Sequence, residues 1–268
     1  MRTLLKIGAF MVALAVVLTG VSYNVLQAQE VKHPSDPAAR RVSTEVRNIS
    51  SEVTIIKLSG PVDLVLKQGA APTMTVQAEQ RVISRIKTVQ SGDTLNIEAK
   101  GMFLNVNHPM RVELILPALK QLVVLGSGDG EVKGFSGDRI QLALRGSGNV
   151  VFNGQYKHVD ADVLGSGDLE LNAGTNDDVA LSVLGSGNVT ATGQCKALTA
   201  KITGSGDIDA MKLTADTATV SVLGSGNASI FAKQSTNLSL IGSGDIHVEG
   251  KPTQRVINRT GSGDVSWD

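Results

Sequence analysis

The sequence predicts an all-β protein: a right-handed parallel β-helix (solenoid) of about 19-residue coils, preceded by an irregular β front portion. Three observations carry this. Gly-Ser-Gly-Asp/Asn occurs eight times, starting at Gly126, Gly146, Gly165, Gly185, Gly204, Gly224, Gly242 and Gly261. The steps between copies are 20, 19, 20, 19, 20, 18 and 19 residues, a fixed period that marks a repeat architecture. The residues on both sides of each motif alternate apolar and polar with period two, the pattern of a half-buried strand.

The chain opens with an address rather than with the fold. Arg2 and Lys6 precede an apolar run from Ile7 to Val21, and a polar stretch ends at Leu26-Gln27-Ala28. This reads as a secretory signal peptide over 1–28, cleaved after Ala28. The alternative is an uncleaved anchor in the inner membrane. Fifteen residues at about 1.5 Å each fall short of a bilayer core of about 30 Å, which favours cleavage. Val21 follows Leu18-Thr19-Gly20 where a lipoprotein signal needs cysteine, so lipid anchoring is not expected. Residues 29–43, with Pro34 and Pro37 and no periodicity, are expected to form a disordered linker. The protein is expected in the periplasm or at the cell surface.

Residues 44–118 read as an N-terminal β portion or a set of irregular first coils. Val62–Leu66, Thr73–Gln77, Leu95–Ala99 and Val112–Leu116 alternate or run apolar. Ser91-Gly92-Asp93 suits a hairpin turn or a coil corner. Pro117 ends a strand and leads into the array.

Residues 119–268 are the repeat. Two residues before each motif stand Val124, Leu144, Val163, Val183, Ile202, Val222 and Leu240, with Arg259 as the exception. Between these and the apolar site two residues further back lie mostly polar residues, among them Asp162, Ser182, Lys201, Ser221 and Ser239. After the motif, apolar Val150, Leu169, Val189, Ile208 and Ile246 precede a mostly polar site and a further apolar one. A small residue, such as Gly134, Gly154, Gly193 or Gly250, is then expected to break the strand. Each unit fits one coil, with glycines where corners need unusual backbone angles and close approach between coils. An antiparallel meander is the alternative, but it needs two tight turns per period and only one motif recurs.

The fourth motif residue reads Asp129, Asn149, Asp168, Asn188, Asp207, Asn227, Asp245, Asp264, alternating until the last pair. Stacked coils would place these side chains about 4.8 Å apart. Two carboxylates there repel by about 0.9 kcal/mol in water and by a few kcal/mol at an effective dielectric of about 20. Interleaved asparagines separate the charges and bring amide donors to the carboxylates above and below. A structural ladder is therefore expected. Duplication of a 39-residue double unit would give the same alternation. The rival, a calcium array, lacks the Gly-Gly-x-Gly-x-Asp spacing of calcium-binding rolls, and half the row is neutral.

These residues resemble a bacterial family known as the putative autotransporter adhesin head domain, or GIN domain. The resemblance runs from about Val46 to Asp268. It includes the Gly60–Gly69 segment, Gly92-Asp93-Thr94-Leu95-Asn96-Ile97, Val112–Leu119 and Glu249-Gly250-Lys251-Pro252. It implies an exported, β-helix-like protein without enzymatic chemistry, and it carries over no catalytic residues.

Composition narrows the function further. Lys+Arg and Asp+Glu are 25 each, so no global field steers the chain to nucleic acid. Aromatics are 3%, too few to favour stacking platforms for sugars or single strands. His33, His108, His158 and His247 are scattered and read as solvated, with no zinc spacing. The motif serines lack a nucleophile elbow, and no phosphate-binding glycine loop is present. Cys195, the single cysteine, lies between expected strands and reads as a small residue without a reactive role. Arg145 and Arg259 replace apolar residues and are expected at a coil end or reaching outward.

The expectation is thus a non-catalytic adhesin-like or scaffold module of the cell envelope. It has no catalytic, cofactor or metal residues, and its envelope or surface partner is unidentified. The alternatives are a carbohydrate-active enzyme, for which Asp160, Asp162, Asp177 and Asp178 are the nearest acidic set, and a calcium-stabilised module. The last coil carries no evident cap, so weak end-to-end or dimeric association is expected.

Overall fold

Alternation decides which side chains turn inward, and the glycine corner decides how coils stack. The computed structural model describes residues 41–101, 103 and 106–268. The expected signal peptide and nearly all of the expected linker lie outside these residues. The front portion comprises β1 (Val42–Arg47), β2 (Ile55–Ser59), β3 (Val62–Gln68), β4 (Thr73–Glu79), a 3-10 turn at Ile83–Arg85, β5 (Ile86–Ser91), β6 (Thr94–Ala99) and β7 (Met110–Leu116). The array follows as β8 (Gln121–Gly126), β9 (Gly130–Gly146), β10 (Val150–Gly165), β11 (Leu169–Gly185), β12 (Val189–Gly204), β13 (Ile208–Gly224), β14 (Ala228–Gly242), β15 (Ile246–Glu249), β16 (Gln254–Gly261) and β17 (Val265–Trp267).

From β8 onward every pairing is parallel and joins one coil to the next. Val163, for example, lies between Leu144 and Val183. This is a parallel β-solenoid, and the meander is excluded. The inward residues form one continuous hydrophobic cluster from Val53 to Val248, with Val163, Val183 and Val222 buried.

Two details depart from the sequence reading. Gly134, Gly154 and Gly193 do not break strands; β9, β10 and β12 run through them. Only Gly250 follows a strand end. Coils of unequal length are matched instead by register shifts in this stretch. Asn153 pairs with Lys133 but Gly154 with Phe135, so Gly134 bulges out at φ +84°. One extra residue is thereby absorbed without disturbing the corners on either side. The strand boundary also shifts: β1 begins at Val42, inside the segment read as linker, because it pairs antiparallel with β4.

The front portion is built onto the same stack. β2 lies parallel between β6 and β8, and β3 lies parallel between β7 and β9. Antiparallel strands then finish this end: β5 on β6, and β4 on β7 with β1 outside it. Gly92-Asp93 is the two-residue turn between β5 and β6, not a coil corner. At the other end, every residue of β16 is exposed, including Val256 and Ile257. The terminal coil is therefore open on its outer side among the described residues.

Candidate functional site: the side-chain columns of the solenoid

A solenoid repeats one position every coil, so its surface chemistry is organised in columns. At the corner, a Cβ on the second motif glycine would lie 1.9–2.2 Å from a carbonyl oxygen one coil earlier. No side chain fits there. The Ser186 and Gly187 N–H groups both donate to the Gly165 carbonyl, at 2.9 and 3.0 Å, and the corners from Gly146 to Gly261 repeat this.

The Asp/Asn residues stand beside this corner and form a one-directional chain of hydrogen bonds. Each side-chain Oδ1 accepts the backbone N–H of the corresponding residue in the next coil. Asp129 accepts from Asn149 at 2.8 Å, Asp168 from Asn188 at 3.1 Å, Asp207 from Asn227 at 2.7 Å and Asp245 from Asp264 at 2.8 Å. Asn149 accepts from Asp168 and Asn188 from Asp207, both at 3.3 Å, and Asn227 accepts from Asp245 at 3.0 Å. The amides of Asn188 and Asn227 also donate to the carboxylates of Asp168 and Asp207, at 2.8 and 3.0 Å. These amide donors reach toward the preceding coil only, not to both sides. The column starts earlier than the motif does. Asp63 Oδ1 accepts the Asp129 N–H at 3.1 Å, so Gly60-Pro61-Val62-Asp63 occupies the place of a motif without its serine or second glycine. At the far end Arg259 reaches Asp264.

A second column alternates in full charge. Lys157 meets Asp138 at 3.1 Å, Lys196 meets Asp177 at 2.6 Å, and Lys233 meets Asp216 at 3.5 Å. The hydrogen bond from Lys196 lowers the Asp177 pKa, and Asp177 in turn raises that of Lys196, with Asp216 adding to the rise. Asp138, Asp177 and Asp216 are 39 residues apart, as are Lys157 and Lys196. That spacing is the legible signal, and a search for catalytic clusters passes over it.

A third column is largely apolar and exposed, with Thr203 between Leu184 and Leu223. The residue just before the motif is Leu164, Leu184, Leu223 or Ile241 in four coils, each 42–49% exposed. Arg145 sits in this outward row and reaches solvent, whereas Arg259 sits at an inward position of the open terminal coil.

The remaining candidates are placed as follows. Asp160 pairs with Arg139 at 2.6 Å, Asp178 with His158, and Asp177 with Lys196, while Asp162 is exposed on its strand. Three of the four acidic residues thus have separate basic partners. His108 is exposed, as expected, and its ring also lies 3.4 Å from the buried Glu79 carboxylate. Cys195 is buried, and that burial, with Asp216 and Asp178 nearby, pushes its thiol up to about 12, which removes thiolate reactivity. Several open hollows lie on the surface. One of about 400 Å³ is lined by Asn153, Gln155 and Asn172, and one of about 420 Å³ by Lys120, Asp138 and Arg139. Among the described residues, His247, Glu249 and Asp268 bring potential metal-ligand atoms within 4.8 Å of one another. No described helix is long and apolar enough to cross a membrane.

Comparison with known proteins agrees with this architecture. A search of curated proteins finds no match. A solved structure described as a putative lipid binding protein from Parabacteroides distasonis ATCC 8503 is 26% identical, with a TM-score of 0.76. It covers 85% of this chain and 97% of its own. A putative adhesin from Parabacteroides merdae ATCC 43184 is 19% identical, with a TM-score of 0.78, covering 85% and 96%. A putative adhesin from Parabacteroides distasonis ATCC 8503 is 22% identical, with a TM-score of 0.76, covering 85% and 97%. The two adhesins share the fold. A family model described as "Putative auto-transporter adhesin, head GIN domain" matches residues 53–252. With most of the chain matched, and with the solenoid and its Gly-Ser-Gly corners in place, the protein belongs to the auto-transporter adhesin head GIN domain family.

Proposed function

We propose that this protein is an exported, non-catalytic adhesin-like scaffold of the bacterial cell envelope, in the periplasm or at the surface. The observation that carries this reading is the exposed row Leu164, Leu184, Leu223 and Ile241, set beside the polar Asp/Asn column. Leu164 and Leu184 are neighbours, as are Leu223 and Ile241, and Thr203 separates the two pairs. An aliphatic-and-polar surface drawn out over five coils matches an extended partner rather than a small substrate. The family membership supports the adhesin reading.

The test is binding of purified protein to envelope fractions of the producing bacterium, comparing the wild type with Leu184→Asn/Leu223→Asn. Loss of binding with unchanged thermal unfolding supports the strip as the contact surface. Equal binding removes it.

The aliphatic row also favours a second reading, contact with acyl chains, in line with the description of the 26% identical relative. Co-sedimentation with phospholipid vesicles separates this from a protein or glycan partner. We propose in addition that the open strand β16 supports weak self-association. Light scattering at rising concentration should show dimer or short oligomers; monomer throughout would rule this out.

A further inference from the structure

We propose that His247, Glu249 and Asp268 form a binding site for a divalent transition metal of the zinc type, which ties the last coil to the coil before it. The argument starts from register. β15 and β17 are parallel neighbours, with His247 opposite Ser266 and Val248 opposite Trp267. Glu249 is two residues beyond His247 and Asp268 two beyond Ser266, so alternation places all four on one face. One imidazole and two carboxylates from two coils thus converge, with ligand atoms within 4.8 Å of one another.

The His247–Asp268 spacing suits a small tetrahedral ion. His247 Nε2 and Asp268 Oδ2 are 3.4 Å apart. Metal bonds of about 2.0–2.1 Å at the tetrahedral angle set ligand atoms about 3.3–3.4 Å apart. The imidazole is also held from behind. Its Nδ1 lies 2.9 Å from Ser266 Oγ. With Nδ1–H donating to that oxygen, the lone pair of Nε2 faces Asp268. Such an outer hydrogen bond fixes ring orientation at metal sites. A nitrogen ligand beside two carboxylates selects zinc or its neighbours over calcium, which prefers oxygens alone and more of them.

The ion would join β15 to β17 at the end of the molecule where β16 is exposed along its whole length. Three protein ligands leave one position for water. Metal binding should therefore protect the terminal coil against unfolding.

The chain carries its own reporter, because Trp267 is the single tryptophan and lies between Ser266 and Asp268. Untagged full-length protein, stripped with chelator, is titrated with zinc chloride and followed by tryptophan emission and calorimetry. The expected result is saturation at one equivalent, reversal by chelator and a higher unfolding temperature. His247→Gln and Asp268→Asn should each weaken binding by about tenfold or more, and Ser266→Ala by about tenfold. Circular dichroism verifies that each variant is folded, and Asp268→Asn alters only an exposed side chain. Absence of saturable binding, unchanged affinity in either ligand variant, or equally tight calcium binding overturns the assignment.

Discussion

Arg259 Nη1 lies 2.9 Å from Asp264 Oδ1, where the Asp/Asn alternation of the eight motifs fails. Asp264 follows Asp245 without an intervening asparagine, and its N–H donates to the Asp245 carboxylate. Two carboxylates are thus adjacent, and no amide separates them. Arg259, which breaks the apolar pattern two residues before the motif, supplies the opposite charge and also donates to the Gly263 carbonyl at 3.1 Å. The two exceptions in the repeat compensate one another.

Arg259→Ala should therefore destabilise the terminal coil by about 0.5 kcal/mol, because the pair is exposed and screened. The loss should vanish in high salt and in an Asp264→Asn background. A double-mutant cycle by urea denaturation at two ionic strengths checks this. An unchanged Arg259→Ala penalty in the Asp264→Asn background would rule out the pairing.

The Asp/Asn column makes a sharper prediction. Asn188→Asp removes the amide bond to Asp168 and sets three carboxylates in succession. A loss of about 1–2 kcal/mol at low salt is expected, shrinking as salt rises. Asp207→Asn keeps an oxygen to accept the Asn227 N–H and should lose under about 1 kcal/mol. If the order of the two variants is reversed, acceptor geometry and charge spacing are not what stabilise the column.

Two glycines separate close approach from backbone conformation. A Cβ at Gly187 would sit 2.2 Å from the Gly167 carbonyl oxygen, and relief means prising the coils apart. Gly187→Ala should cost about 3 kcal/mol or more, or abolish folding. Gly92 has φ +60° and nothing within 4 Å of its Cβ position. Gly92→Ala should cost about 1 kcal/mol from conformation alone. Thermal unfolding of both variants measures the contrast.

Glu79 predicts the acid sensitivity of the front portion. Its side chain has no exposed surface. Burial would raise its pKa, but hydrogen bonds from Arg81, the Asn107 N–H and His108 outweigh that and hold it at about 2, against an ordinary 4.5. A carboxyl depressed in the folded state contributes fully above its unfolded pKa. That contribution should be lost progressively as pH falls from about 4.5 to about 2. Glu79→Gln should be less stable at neutral pH and show a flatter stability curve across that window. Parallel curves for wild type and variant would show that Glu79 does not govern the acid response.

Much of this was legible from local pattern. The period located the corners, and alternation assigned Val163, Val183 and Val222 to the interior. The Asp/Asn order placed an alternating row at one corner. These features repeat within a few residues of the motif, where spacing along the chain and position in space run together. In the front portion the pattern marks Val62–Leu66 and Val112–Leu116 as strands but does not mark β1, β2 and β5. The partners of β1 and β2 lie far along the chain, and β5, although it forms a hairpin with β6, is too short for its pattern to stand alone.

The sequence by itself therefore determined the repeat, the inward face and the need for glycine at each corner. Tertiary structure decided which coil meets which. It made Asp63 the first member of the column, set Lys196 on Asp177, buried Glu79 and brought Asp268 to His247. Asp63, Glu79 and His247 meet their partners across strands or loops well separated along the chain. For Lys196 and Asp177 the physical reason is the bulged segment between corners. A bulge such as that at Gly134 shifts register by one residue and resets the in–out parity, so the neighbours of an outward side chain follow from the packing of whole coils rather than from the residues beside it.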